Sequence, residues 1–443
     1  MRRARPALAL ALLIGVSAAA SAQESPLRAG PMVGYAEMRE VLLWAQTAEP
    51  ATVRFRYWDE ERPDRAWTTA GIMTEAATAF VARAIADSVQ PGGRYGYEVL
   101  VDGQPVPRPY PLRFQSRALW HWRTDPPPFR LALGSCFYVN EPVYDRPGEP
   151  YGGGYEILAA IHDERPDAMV WLGDDVYLRE ADWNTRTGVL HRYGHTRALP
   201  ELQPLLASVH HYATWDDHDY GPNDSDRSFA GKALSREAFE LFWGNPPFTV
   251  EGVGGVTNTF EWSDVQVFLL DDRWDRSPNR RRESGDRVYL GERQLEWVID
   301  ALATSRATFK IVAVGGQVLN PLATFENYAN YPDERADLLA AIEREGIEGV
   351  LFVSGDRHFT ELTRLDRPGT YPLYDLTISP LTASAVDRVE NNPARVEGTL
   401  VNRRNFAILE FTGPRQDRRL RITVHDSEGS PLWTRDILAS ELR

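Results

Sequence analysis

The chain has 443 residues, 43% hydrophobic and 25% charged, a composition that excludes intrinsic disorder and predicts two compact units. Its formal charge of −14 argues against sequence-independent nucleic-acid binding, which rests on Lys/Arg contacts to phosphate, and against docking on anionic membranes. The lone Cys136 excludes an intramolecular disulfide.

Residues 1–22 read as a signal peptide. Arg2, Arg3 and Arg5 precede the apolar run Ala7–Val16, and Ala20-Ser21-Ala22 supplies a small-x-small cleavage pattern. That run is shorter than the roughly 18 residues a spanning helix needs, and no other stretch approaches that length. The expectation is an exported protein, periplasmic or extracellular, without a transmembrane anchor. Its removal deletes three arginines and no acids, moving the charge to −17.

Residues 28–118 read as a small β-sandwich. Val41–Trp44 and the strictly alternating Val53–Trp58 are short strands, and Tyr95–Val101 runs into an Asp102-Gly103 turn. A proline-rich link, Asp125-Pro126-Pro127-Pro128, then separates this module from residues 129–443, whose texture is α/β. Strands are predicted at Arg130–Ser135, Ala168–Leu172, His210–Trp215, Val265–Leu270, Phe309–Val314 and Val350–Ser354. Helices are predicted at Tyr155–Asp163, Ser235–Phe242, Gly291–Ala303 and Asp333–Glu345, the last with Asp333 as N-cap and Gly346 as its stop. Strand character returns at Tyr374–Ile378, Phe406–Phe411 and Leu420–His425. Continuously apolar strands between helices imply sheets covered on both faces.

Four of these strands run straight into residues able to hold metals. Leu131–Ser135 leads into Cys136, Met169–Gly173 into Asp174 and Tyr177, Tyr212–Trp215 into Asp216-Asp217-His218-Asp219, and Leu351–Gly355 into Asp356-Arg357-His358. Parallel sheets build sites beyond the carboxyl ends of their strands, so the four turns converge if the strands are neighbours. A carboxylate has two oxygens and can bridge two cations, and Asp174 is the natural bridge. Thiolate, phenolate and carboxylate together favour trivalent iron, whereas an all-oxygen set favours calcium or magnesium. His218 has the chemistry to protonate a leaving oxygen. Singly, each residue also has a plain reading: a buried small cysteine, an aspartate capping a turn, a packed tyrosine. His191 and His195 have metal-capable i,i+4 spacing but fit a solvated surface better, as does the Arg280-Arg281-Arg282 loop.

The motifs Gly134-Ser135-Cys136, Gly173-Asp174-Asp175-Val176-Tyr177, Trp215-Asp216-Asp217-His218-Asp219 and Ser354-Gly355-Asp356-Arg357-His358-Phe359 together resemble the PhoD-type alkaline phosphatase/phosphodiesterase family. Leu270-Asp271-Asp272-Arg273, Leu290–Trp297 and Thr377–Thr382 add to the resemblance. It implies a calcineurin-like metallophosphoesterase sandwich of mixed sheets flanked by helices, preceded by an immunoglobulin/fibronectin-like module. It also implies Fe(III) with Ca(II): Cys136, Asp174, Tyr177 and Asp356 on the iron, Asp174 and Asp217 on the calcium, with Asn223 and His358 as further ligands. His218 would serve the leaving group, and Arg273 and Arg357 the phosphate oxygens. The implied substrate is a small phosphate mono- or diester, with phospholipid or nucleotide esters as an alternative and a silent metal-binding surface protein as a weaker one. Asp219 departs from the family, where glutamate is frequent, and Asp175 adds a charge with no role assigned.

Overall fold

The computed structural model describes residues 25–247, 250–281 and 287–443; the predicted signal peptide and Arg282 lie outside the described residues. Among the described residues no helix is long and apolar enough to cross a membrane.

Two large sheets carry the molecule. The first has nine strands in the order Pro431–Leu438, Arg419–Asp426, Asn405–Thr412, Phe129–Gly134, Ala168–Leu172, His210–Thr214, Leu27–Ala36, Val41–Thr47 and Val81–Ala86. Its centre is parallel, with Leu131 beside Ala168 and Ala168 beside His210. The second has six strands in the order Asn258–Trp262, Val265–Leu269, Phe309–Ala313, Val350–Ser354, Leu373–Thr377 and Glu361–Leu365, also parallel at its centre. Apolar residues from both, among them Leu131, Val170, Tyr212, Val267, Ile311 and Phe352, share one core. This is the mixed-sheet sandwich expected, with the Val350–Ser354 strand central in the second sheet. Such strands must be apolar throughout because both faces are covered, and all five residues of Ala168–Leu172 are buried.

The N-terminal region is all-β, as the sequence predicts, but its strands serve two sheets. Arg62–Thr68, Thr52–Asp59, Arg94–Val101 and Gln104–Pro105 form a separate small sheet. Leu27–Ala36, Val41–Thr47 and Val81–Ala86 instead extend the nine-stranded sheet, joining it where Val33 pairs in parallel with His210.

Two local expectations need correction. The helix predicted from Asp333 begins at Pro332 with Tyr331 as N-cap, because proline already holds the φ that a first helical residue needs. Asp333 falls in the first turn, where its charge suits the helix dipole. Gly346 does end it, at φ 61°, with the Ile347 N–H donating to Ile342 O (3.0 Å). A helix over Arg186–Arg197 was not predicted. Its sequence is polar and carries Gly188 and Gly194, so it shows little apolar period, yet it buries Arg192 and Arg197 completely. His191 and His195 lie on this helix, partly buried rather than solvated: His191 Nε2 meets Glu141 Oε1 (3.1 Å) and His195 Nε2 meets Asn140 O (3.1 Å). They brace the 139–145 loop.

Candidate metal centre

The four ligand-bearing turns converge. Three leave adjacent parallel strands of the nine-stranded sheet, and the fourth arrives from the facing sheet, where Gly355 packs against Ser135. Any side chain at 355 would press its Cβ to 2.6 Å from Ser135 Cβ. Gly173 is needed twice over, with φ 90° and a hypothetical Cβ 2.6 Å from Asp216 Cβ. Cys136, Asp174, Asp356 and His358 all adopt positive φ, between 54° and 63°. This conformation is costly for residues bearing a Cβ and concentrates at functional sites, where it turns side chains sharply off the strand ends.

Asp174 is the hub. Its Oδ2 lies 3.6 Å from Cys136 Sγ and accepts from the Tyr177 hydroxyl (3.1 Å), while its Oδ1 accepts from the His218 N–H (3.2 Å). Tyr177 in turn meets His358 Nε2 at 3.2 Å, and His358 Nδ1 lies 2.7 Å from Ser384 O. Cys136, Asp174 and His358 offer ligand atoms within 4.8 Å of one another; so do Asp174, Asp217 and His218, and so do Asp174, Asp216, Asp217 and Asp356. A further cluster of the same tightness joins Asp217, Asp224 and Glu326.

The electrostatics fit cations. Burial, and then the Asp217 charge, pushes Asp174 well above the usual carboxylate range. Burial likewise raises Asp356 to about 6 and Cys136 to about 12, and drives Tyr177 well up. Burial also acts upward on Asp217, but the neighbouring His218 and Arg273 charges outweigh it and hold that carboxyl low. One carboxylate oxygen of Asp217 is buried without a hydrogen-bond partner. Acids crowded this closely away from water ionise together only against positive charge, so the donor set suits metal ions.

Positioning groups surround the donors. Asp219 Oδ1 accepts from Val176 N–H (2.8 Å) and its Oδ2 from Asp216 N–H (3.0 Å), tying two ligand turns together. Asp216 is fully buried at the start of a short helix over Asp217–Tyr220. Behind these turns lies a buried polar cluster: both oxygens of Asp175, both terminal nitrogens of Arg197 and the Tyr193 hydroxyl are buried without hydrogen-bond partners. The Arg197 guanidinium stacks on Trp243 at 3.7 Å and offsets the charges of Asp175 and Asp219.

Three predicted residues sit differently. Arg273 does not reach toward a substrate: it is fully buried and paired with Asp216, Asp272 and Glu326, so its guanidinium is consumed in holding the acids in place. Arg357 is 7% exposed and donates to Glu390 Oε1 (2.7 Å), so it is not a free phosphate clamp. Asn223 lies exposed on the adjoining turn, its Nδ2 donating to Asp224 Oδ1 (2.8 Å). Asp216 was named in its motif but given no ligand role, and Asp224 and Glu326 were missed. Asp216 and Asp224 stand beside named residues and were within reach; Glu326, in an irregular loop, carries no local signal.

The family described as PhoD-like phosphatase matches residues 134–414, well over half of the chain and all four ligand turns. The chain belongs to the PhoD-like phosphatase family. Residues 24–118 match a separate family described as a domain of unknown function, DUF7800. Alkaline phosphatase D of Bacillus subtilis (strain 168) is 21% identical over 254 residues, 46% of this chain and 43% of that protein. The chain thus matches less than half the length of this curated relative. Among solved structures, one titled "Structure of PhoD" superposes with a TM-score of 0.74 at 15% identity, covering 93% of this chain and 92% of that one. Purple acid phosphatase PPD1 from yellow lupin seeds gives 0.66 at 12%, covering 92% and 74%. At these identities the superpositions establish the fold, and that fold agrees with the family's metallophosphoesterase sandwich.

Proposed function

We propose that this protein is a metal-dependent phosphoesterase acting outside the cytoplasm on small phosphate mono- or diesters. The observation that carries the reading is the sharing of Asp174 between adjoining clusters of buried ligand atoms. That geometry suits a two-cation site, in which both oxygens of an in-line displacement are clamped. Cys136, Asp174, Tyr177, Asp356 and His358 supply thiol, phenol, carboxylate and imidazole donors, which suit Fe(III). Asp174, Asp217, Asp224 and Glu326, with Asn223 beside them, supply oxygen donors, which suit Ca(II). Bound there, the cations would activate a water for attack and neutralise charge on the phosphoryl oxygens.

The chain's own residues account for the rest. In such a site the water oxygen would attach to phosphorus and release its proton to solvent, the ester P–O bond would break, and the departing oxygen would take a proton from His218, which solvent would restore. That imidazole rests on the Tyr177 ring at 4.2 Å and is partly exposed beside Asp174 and Asp217. Burial lowers its pKa, and the Asp217 charge only partly opposes that shift. Arg273 holds the Asp216 and Glu326 carboxylates and takes no part in bonding to phosphate. The leader-like residues 1–22 support export. The presence of His218 speaks against a catalytically silent metal-binding protein.

The test combines elemental analysis, visible absorbance and phosphate release from a panel of mono- and diesters. Iron with calcium, a visible tyrosinate band and turnover are expected. A colourless, metal-free protein that remains inert after reconstitution with both cations overturns the reading.

A further inference from the structure

Two aromatic rings with large exposed areas border the metal centre. Phe325 is 74% exposed, and its backbone is held at φ 48°. A bulky residue in the left-handed region is a genuine outlier, and a largely exposed phenyl ring buries little apolar area on folding. The conformation is enforced from the next residue. Glu326 is buried, its Oε2 held by Arg273 Nη1 (2.9 Å) and its Oε1 by Arg276 Nη2 (3.0 Å). Asn330 Nδ2 fixes the Phe325 carbonyl (2.9 Å). The ring itself stacks on the Arg357 guanidinium at 4.2 Å, which leaves one face bare.

Tyr151 is the second ring. It is 40% exposed and packs edge-on against Tyr138 at 4.9 Å. Its hydroxyl lies 3.2 Å from His358 Nδ1. Phe325 leans on Arg357 and Tyr151 on His358, so the two rings flank the Asp356–His358 turn from different loops.

We propose that Phe325 and Tyr151 receive the organic group of the ester, and that the preferred substrates are phosphate esters carrying a planar aromatic ring, such as nucleotides. The inference rests on the phosphoesterase reading and adds to it the class of alcohol released. A planar group fits this border because every aromatic or base ring offers a face for stacking, whereas a small hydrophilic alcohol would leave both rings wet.

The test compares adenosine 5′-monophosphate with ribose 5-phosphate, two esters of similar primary alcohols that differ by one ring system. The metal-loaded wild type is expected to show a KM for the nucleotide lower by about fivefold to tenfold, the range of a single aromatic stacking contact. Phe325→Ala should bring the KM ratio of the two esters close to one, and Phe325→Trp should preserve it. Hydrolysis of both esters by the wild type with equal KM overturns the inference alone. So does a Phe325→Ala enzyme that keeps the wild-type ratio. Turnover of neither ester, nor of any other in the panel, overturns the phosphoesterase reading and the inference with it.

Discussion

The two sides of Asp174 are built from different chemistry on different supports. On one side Cys136, Tyr177 and His358 form a pocket walled by Tyr138 and Tyr151, with Ser379 Oγ donating to the sulfur (3.0 Å). On the other, Asp217, Asp224 and Glu326 form an all-carboxylate cluster backed by the buried arginines 273 and 276. The first side disfavours ionisation of its thiol and phenol by burial; the second keeps Asp217 ionised through nearby cations. A soft, aromatic pocket beside a hard, charged one can select two different cations while sharing one carboxylate.

The most severe way to break this contrast is to remove what both sides share. Asp174→Ala should lower kcat by at least about a hundredfold, the usual minimum for losing a preorganised group facing the transition state, and strip metal from both sides. A stable Asp174→Ala protein with full turnover contradicts the shared-ligand arrangement. Next is the support behind the turns. Arg197→Met should destabilise the fold by roughly 3 kcal/mol in denaturant titration, because Asp175 and Asp219 lose their buried counter-charge. Adding Asp175→Asn should recover part of that loss; no recovery would show that Arg197 acts by packing on Trp243 alone.

The sides should also fail separately. Cys136→Ser should bleach the visible band and lower iron content while retaining calcium. Glu326→Gln should weaken calcium binding by about tenfold to a hundredfold, as for other groups that support a metal site, with the band retained. Loss of both metals in both variants would erase the distinction. The mildest effect concerns pH. Burial raises Asp356 and Asp271 to about 6 and Asp219 to about 7. Acids with raised pKa stabilise the metal-free fold fully below their unfolded value near 4, and that contribution is lost as pH climbs through 6–7. Asp356 would be neutralised by cations, so the Tm gap between chelated and metal-loaded protein should widen by a few degrees from pH 5 to pH 8. A constant gap would contradict it.

The sequence made the strand ends legible because the signal there is local. Ala168–Leu172 is apolar without interruption and then changes abruptly to Gly173-Asp174, which announces both strand and site. The same logic found Cys136, Asp217 and Asp356. Local signals failed where the determinant is distant. Glu326 becomes a candidate ligand only because Arg273 and Arg276, some fifty residues earlier, pull its carboxylate inward. Arg273 looked like a phosphate clamp because sequence shows its charge but not the three acids that consume it. The Arg186–Arg197 helix was invisible because only Val189 and Leu190 of its buried face are aliphatic, the rest being Arg192, Tyr193, Gly194, Thr196 and Arg197.

The pairing of Val33 with His210 has a consequence for how the molecule is assembled. The strand leading to Asp216, Asp217 and His218 is flanked on one side by Ala168–Leu172 and on the other by Leu27–Ala36. Almost 180 residues separate the paired positions, so closing this ladder is entropically expensive. A chain trimmed of its first module would leave His210–Thr214 with a bare backbone edge, open to another copy of itself. The strands Leu27–Ala36, Val41–Thr47 and Val81–Ala86 are therefore a structural wall of the sheet that carries Asp216, Asp217 and His218.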